Sequence, residues 1–260
     1  MSTNERIVVE IETPVARVRL NRPGKRNAFD DAMAGELESA FARLEGEPGL
    51  RVVVLEGAGE VFCAGGDLEW MRRVASYTHE QNLADAEAFQ RAYERIDRFP
   101  LPVVGRIQGA ALGGGAGLVA VCDIAIATDT AKIGFPEVKL GLVPGVISPY
   151  VVRRIGAGHA RRLFLTGETF DGHEAERLGL VHVVAPETAL DSEVRLVIEK
   201  LSLVSPQGVQ ACKQLVRELA ERPGDALEIA REAIADARAS DDGREGTTAF
   251  LEKRKPRWLT

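Results

Sequence analysis

The sequence predicts an α/β fold with a helical C-terminal third, and three observations predict it. β-branched and apolar runs alternate with helix-length amphipathic stretches over the first two-thirds of the chain. Two of those runs end in turns of residues with almost no side chain, Ala64-Gly65-Gly66 and Gly113-Gly114-Gly115, each followed by a helical pattern. From Pro186 onward the pattern is helical, with breaks at Ser205-Pro206 and Arg222-Pro223-Gly224.

In chain order, residues 6–11 and 15–20 are β-rich runs separated by Glu12-Thr13-Pro14, a hairpin signal. A polar segment comes next, with a Pro-Gly turn and three close cations, Arg22, Lys25 and Arg26. Asp30 or Asp31 is placed to cap a helix with Met33, Leu37, Ala40, Phe41 and Leu44 on its apolar face. Arg51 to Glu56 reads as a strand, and so does the run from Val61 into Ala64-Gly65-Gly66, with Asp67 capping the next helical stretch. Residues 70–99 form a helix broken near Ser76-Tyr77-Thr78, with Leu83, Ala86, Phe89, Tyr93 and Ile96 at helical spacing. Val103-Val104 leads into the central glycine turn and Leu118 to Val121 leads out. Strands are expected at 124–127, 132–135 and 181–184, and helices at 149–155, 160–165 and 172–178.

With 260 residues, 45% of them hydrophobic, the chain has the size of one large domain or a domain with a helical appendage. A net charge of −6 argues against nucleic acid, an RNA-binding side role included, and against an anionic membrane as main partner. No apolar run is long enough to cross a bilayer, and MSTNERIVVE is not a signal peptide, so a cytoplasmic protein is expected. Cys63, Cys122 and Cys212 are scattered and read as reduced thiols; the four histidines lack metal-ligand spacing.

The two glycine turns carry the first chemical reading. If they converge, the N–H groups of Gly66 and Gly114 grip one carbonyl oxygen and stabilise an enolate as its charge develops. Read blandly, both are tight turns that pack a helix on a sheet. A competing reading is nucleotide binding, since Gly115 to Ala120 match G-x-G-x-x-A. Those glycines, however, fall where the helix should already be running, and no P-loop pattern exists. Glu137 is the carboxylate singled out: it follows Pro136 among Ile133, Phe135, Val138 and Leu140, a setting that raises a glutamate's pKa. Asp123 reads as a structural brace for backbone N–H groups. Tyr77 and His79 read as bystanders.

Taken together, these residues resemble the crotonase, or enoyl-CoA hydratase/isomerase, superfamily nearly end to end. The resemblance runs through Asn21-Arg22-Pro23, Lys25-Arg26-Asn27-Ala28, Phe62 to Leu68, Gly109 to Gly115, Cys122-Asp123, Pro136-Glu137, Leu140-Gly141, Leu165-Thr166-Gly167 and Ala249 to Arg254. It implies a spiral of ββα units over residues 1–200 and a C-terminal helical region at 201–260 that covers the core and serves oligomerisation. A homotrimer or a dimer of trimers is implied, as is an acyl-CoA thioester acting as substrate with no further cofactor and no metal. The thioester oxygen would accept from Gly66 and Gly114, and Glu137 would move the proton. Lys25 and Arg26 would lie near the CoA phosphates, helped by Lys253 of the same or a neighbouring subunit. The adenine would lie near Ala64 to Leu68, with Ala64, Gly66, Asp67 and Leu68 as binding residues, and Ala28 would also belong to the CoA site.

One departure bears on the reaction. Family hydratases usually carry two glutamates, and the first of those positions is Gly117 here. A lone carboxylate is economical for shuttling a proton between two carbons, which favours a 3-enoyl to 2-enoyl isomerase. Against that, Gly117-Leu118 and Ile147 to Val152 are similar to a branch of hydratases for branched glutaconyl-type CoA esters. Hydratase is therefore the leading expectation, isomerase the alternative, and a non-catalytic acyl-CoA-binding relative the reading from another class.

Overall fold

The computed structural model describes residues 5–259. Strands β1 (Ile7–Glu12) and β2 (Val15–Leu20) form the expected antiparallel hairpin, with Val9 opposite Val18. Alternation along β2 buries Ala16, Val18 and Leu20 on one face. Helix α1 (Asp31–Leu44) starts where Asp30 accepts from the Met33 N–H at 2.8 Å, and it buries the predicted apolar face. Strand β3 (Val52–Gly57) adds to β2 in parallel and is buried at every position.

The stretch after Val61 is extended but is not the predicted strand. Its backbone bonds divide between two neighbours: Cys63 N–H donates to Ala110, whereas Ala64 N–H donates to Arg26. Only isolated bridges, Cys63 to Ala111 and Phe29 to Gly66, result. Helices α2 (Leu68–Val74) and α3 (His79–Asp97) flank the predicted break, and Thr78 closes a capping box with Gln81.

Strand β4 (Val103–Ile107) leaves the main sheet at Gln108-Gly109 and turns into β5 (Ala110–Leu112), a separate strand that periodicity did not resolve. Gly109 is required there: its φ is +66° and a Cβ would lie 2.0 Å from the Glu60 carbonyl. Helix α4 (Gly114–Val121) follows, then β6 (Ile124–Thr128), β7 (Lys132–Gly134) and a 3-10 turn at Pro136–Leu140. The two helices expected between 149 and 165 are arms of α5 (Ser148–Thr166), kinked where Gly156 takes φ +76°. The core ends with β8 (Thr169–Phe170), α6 (Gly172–Arg177) and β9 (Val183–Ala185).

The strands make a six-stranded sheet, β1-β2-β3-β4-β6-β9, and a small sheet, β5-β7-β8. From β3 to α5, each turn of the chain lays one strand in the large sheet and one stretch beside or within the small sheet, then helix: β4-β5-α4, then β6-β7-α5. This is the crotonase-like spiral of ββα units. The far face of the large sheet (Val52, Val54, Val104, Ile126) is covered by Leu190 and Val194 of α7 (Leu190–Ser202). Helices α8 (Pro206–Glu221), α9 (Ala226–Ala239) and α10 (Asp241–Leu251) pack on one another. The α9–α10 break, unmarked by Pro or Gly, is set by Ser240, whose hydroxyl accepts from the Gly243 N–H at 3.0 Å.

Candidate active site

The spiral brings both glycine turns and Glu137 to the N-terminal end of α4. A Cβ on Gly115 would lie 2.7 Å from the Cys63 carbonyl, and one on Gly65 3.3 Å from that of Leu112, so the turns lie against each other. The Gly65 carbonyl accepts from the Phe29 N–H at 2.8 Å, and peptide planarity then turns the Gly66 N–H toward the opposite edge, where β5 runs. The Gly113 carbonyl accepts from the Gly117 N–H at 3.0 Å, along α4, so the Gly114 N–H projects from the helix start with the other unpaired donors of its positive end.

Glu137 sits in the 3-10 turn whose approach Pro136 fixes. A Cβ on Gly113 would meet its Oε1 at 3.1 Å, which puts the carboxylate beside the start of α4. Its Oε2 is buried and takes no hydrogen bond among the described residues. Burial pushes the carboxyl above the ordinary glutamate range, opposed only by its own backbone N–H.

At Gly117 the space for a side chain is already filled. A Cβ there would stand 2.2 Å from Cγ2 of Ile147 and 3.1 Å from Cε1 of Tyr93. Tyr93 is buried, and its hydroxyl donates to the Gly114 carbonyl at 2.8 Å. Tyr93 did not stand out in the sequence as part of a site, although a polar tip within the apolar stripe of α3 was an available signal. Ile147 stood out only as the start of the stretch similar to a hydratase branch, with no packing role attached to it. The stretch Gly115 to Ala120 lies inside α4 and is buried, so it is not a phosphate loop and the nucleotide reading falls.

The predicted CoA residues form a ledge of two paired segments. Ala64 N–H donates to Arg26, and Asp67 N–H to Phe29, which places Lys25, Arg26 and Ala28 beside Ala64, Gly66 and Leu68. The three cations are not equivalent. Arg22 is an internal brace, 2.9 Å from both Asp30 and Asp67. Lys25 lies 2.7 Å from Glu69 and 3.3 Å from Asp67, and Arg26 makes no ion pair among the described residues. Asp67 faces inward and caps α2. Burial alone would raise its carboxyl, but the Trp70 and Glu69 N–H groups with Lys25 and Arg22 hold it at about 2. Leu68 is exposed and Ala28 nearly buried. Lys253 follows α10, which packs on α8 and α9. Asp123 is the brace expected, accepting at 2.7 Å from the Val103 N–H and from Lys213. Tyr77 and His79 lie at the α2–α3 break, Tyr77 accepting from Arg73 at 3.0 Å.

Asn27 pins the ledge. Its Nδ2 donates to the Ala58 and Val61 carbonyls at 2.9 and 2.7 Å, and its Oδ1 accepts from the Arg22 N–H at 2.8 Å. Asparagine also tolerates the left-handed backbone there, φ 54°. Asn27→Ala orphans these buried groups and is expected to cost about 2–4 kcal/mol, a fall in Tm of roughly 5–15 °C by calorimetry.

The family model described as enoyl-CoA hydratase/isomerase matches residues 10–260. The chain belongs to the enoyl-CoA hydratase/isomerase family. Among curated proteins, the short-chain-enoyl-CoA hydratase of Clostridium acetobutylicum is 32% identical over 256 residues, 96% of this chain and 95% of its own length. The crystal structure of an enoyl-CoA hydratase from Shewanella pealeana has a TM-score of 0.94 at 39% identity, covering 98% of this chain and 97% of its own. AtuE of Pseudomonas aeruginosa has a TM-score of 0.92 at 40% identity, covering 98% and 100%. Within this enoyl-CoA hydratase/isomerase fold, the site sets the two glycine turns beside one half-buried carboxylate.

Proposed function

We propose that the protein adds water to a 2-enoyl-CoA thioester, with Glu137 as its single proton carrier. The observation that carries this reading is the half-buried Glu137 carboxylate, its Oε2 buried and unpartnered among the described residues, beside the N-terminus of α4. The thioester oxygen accepts from the N–H groups of Gly66 and Gly114. Ionised Glu137 takes a proton from water as its oxygen bonds to the acyl β-carbon, and the double-bond electrons move onto the thioester as an enolate. The enolate then collapses and takes the same proton from Glu137 at the α-carbon. One water supplies both the hydroxyl and the hydrogen, so the reaction balances with one carboxylate and no further cofactor. The hydratase names of full-length relatives support the same reading.

One observation favours a second reading, isomerisation: Ile147 and Tyr93 fill the space beside Gly117 where a second carboxylate would stand. The branched glutaconyl-type acyl group stays a proposal, as do the CoA ledge at Lys25, Arg26, Ala28, Ala64, Gly66, Asp67 and Leu68 and a cytoplasmic location. No described helix is long and apolar enough to cross a membrane. A homotrimer or pair of trimers is supported by Leu227, Phe250 and Leu251 of α9 and α10, exposed by 89%, 82% and 74%.

The test offers crotonyl-CoA, 3-methylglutaconyl-CoA and a 3-enoyl-CoA separately and identifies the products by mass and NMR. Hydration of either 2-enoyl ester supports the proposal. A shifted double bond in the 3-enoyl ester with no hydration of the others replaces it with the isomerase. Binding of all three with no turnover makes the protein an acyl-CoA binder.

A further inference from the structure

We propose that Tyr93 is the positioning residue that holds the Gly114 N–H in line for the thioester oxygen, an inference that rests on the oxyanion role of Gly114. An oxyanion donor works because it is aimed before the charge forms, so whatever fixes its direction carries part of the rate. Gly114 has no side chain to fix itself, and Gly113 and Gly115 on either side have none either. Three contacts supply the rigidity, and the first is the Gly117 N–H that holds the Gly113 carbonyl at 3.0 Å. Gly113 is tied to the small sheet, its N–H donating to the Gly134 carbonyl at 2.9 Å. Gly114 is tied by the Tyr93 hydroxyl, 2.8 Å from its carbonyl, across 21 residues of chain.

Tyr93 is itself immobilised. It is 1% exposed, its ring meets Phe29 edge-on at 5.9 Å and lies 6.0 Å from Tyr150, and its helix packs on α1 and α4. Burial pushes the phenol far above its ordinary pKa, with Cys63, Glu137 and Tyr150 adding to it, so it remains a donor throughout the working pH range. Ring and hydroxyl have separable duties. The ring fills the space beside Gly117, where a Cβ would come within 3.1 Å of Cε1, while the hydroxyl donates to Gly114.

Tyr93→Phe keeps the ring and removes the hydroxyl. We expect kcat on a 2-enoyl-CoA to fall about tenfold with KM within about twofold, since the lost alignment matters most in the transition state. The readout that a filler role would not move is the infrared band of a thioester carbonyl, isotope-labelled in a bound enoyl-CoA. In the native enzyme it shifts down on binding; in Tyr93→Phe the downshift is smaller and the band broader. An unchanged band and turnover in Tyr93→Phe overturns the Tyr93 assignment and leaves Gly114 as the donor. No downshift in the native enzyme overturns the Gly114 reading itself. If Tyr93→Phe fails to fold, a ring-fluorinated tyrosine at 93, a stronger O–H donor, must give a downshift at least as large as the native one, and a smaller one overturns the proposal.

Discussion

Glu137→Gln is expected to lower kcat on a 2-enoyl-CoA by about 10³-fold or more, with KM nearly unchanged. Glutamine keeps the shape and the contacts beside Gly113 but neither accepts nor returns a proton. The native enzyme's kcat/KM should fall with acid on one limb, because the base works ionised. That limb lies above the ordinary glutamate pKa, since burial raises the Glu137 carboxyl. Stability moves the other way. A carboxyl whose folded pKa is raised stabilises the fold when protonated, and that contribution is lost as pH rises through the folded pKa. At neutral pH the ionised Glu137 is therefore a burden on the fold, and Glu137→Gln should raise Tm by about 1–3 °C while removing activity. Retained turnover would remove Glu137 from the chemistry; lost turnover with a collapsed Tm would make it a structural residue.

Gly117→Glu, which restores the carboxylate that family hydratases usually carry, is expected to damage the protein. The new Cβ would stand 2.2 Å from Ile147 Cγ2 and 2.8 Å from Ile147 Cβ in a closely packed region, and a carboxylate would be buried behind it. We expect a cost of roughly 3–5 kcal/mol, seen as a fall in denaturant midpoint or as insoluble protein. Gly117→Glu with Ile147→Gly removes both clashing atoms, and glycine is acceptable at the start of α5. The double variant should regain about 2 kcal/mol or more relative to the single one, a coupling that sites without contact would not have. A single variant as stable as the native chain would mean that the space beside Gly117 is open, and the case for Ile147 as its occupant would fail.

The spiral's local elements were legible because their signals are local. Asp30 and Asp67 cap the helices that come after them, and the α2–α3 break carries its own capping box at Thr78. The two glycine turns and Pro136-Glu137 stood out because glycine and proline restrict backbone conformation in ways readable without a partner. Elements whose identity depends on a distant partner were not legible. The stretch after Val61 carries a β-rich signal but divides its bonds between two neighbours, and β5 exists because β7 pairs with it. Leu83 keeps the helical spacing of the α3 stripe yet is 53% exposed, because α3 reaches the core only from Phe89 onward. The contacts of Tyr93 and Ile147 with α4 were hidden for the same reason. One contact crosses from α3 to α4 and the other from α5 to α4, and spacing along the chain encodes neither. The sequence marked Gly117 as a departure, but only the packing of α4 on α5 indicates that the space there is filled by hydrocarbon.

The most direct test of a single-carboxylate hydratase is one turnover of a 2-enoyl-CoA in water labelled with both deuterium and heavy oxygen, read by mass spectrometry and NMR. The proton route through Glu137 predicts one heavy oxygen at the β-carbon and one deuterium at the α-carbon, from the native enzyme and not from Glu137→Gln. Deuterium without heavy oxygen, accompanied by a moved double bond, would contradict hydration and leave Glu137 as the shuttle of an isomerase.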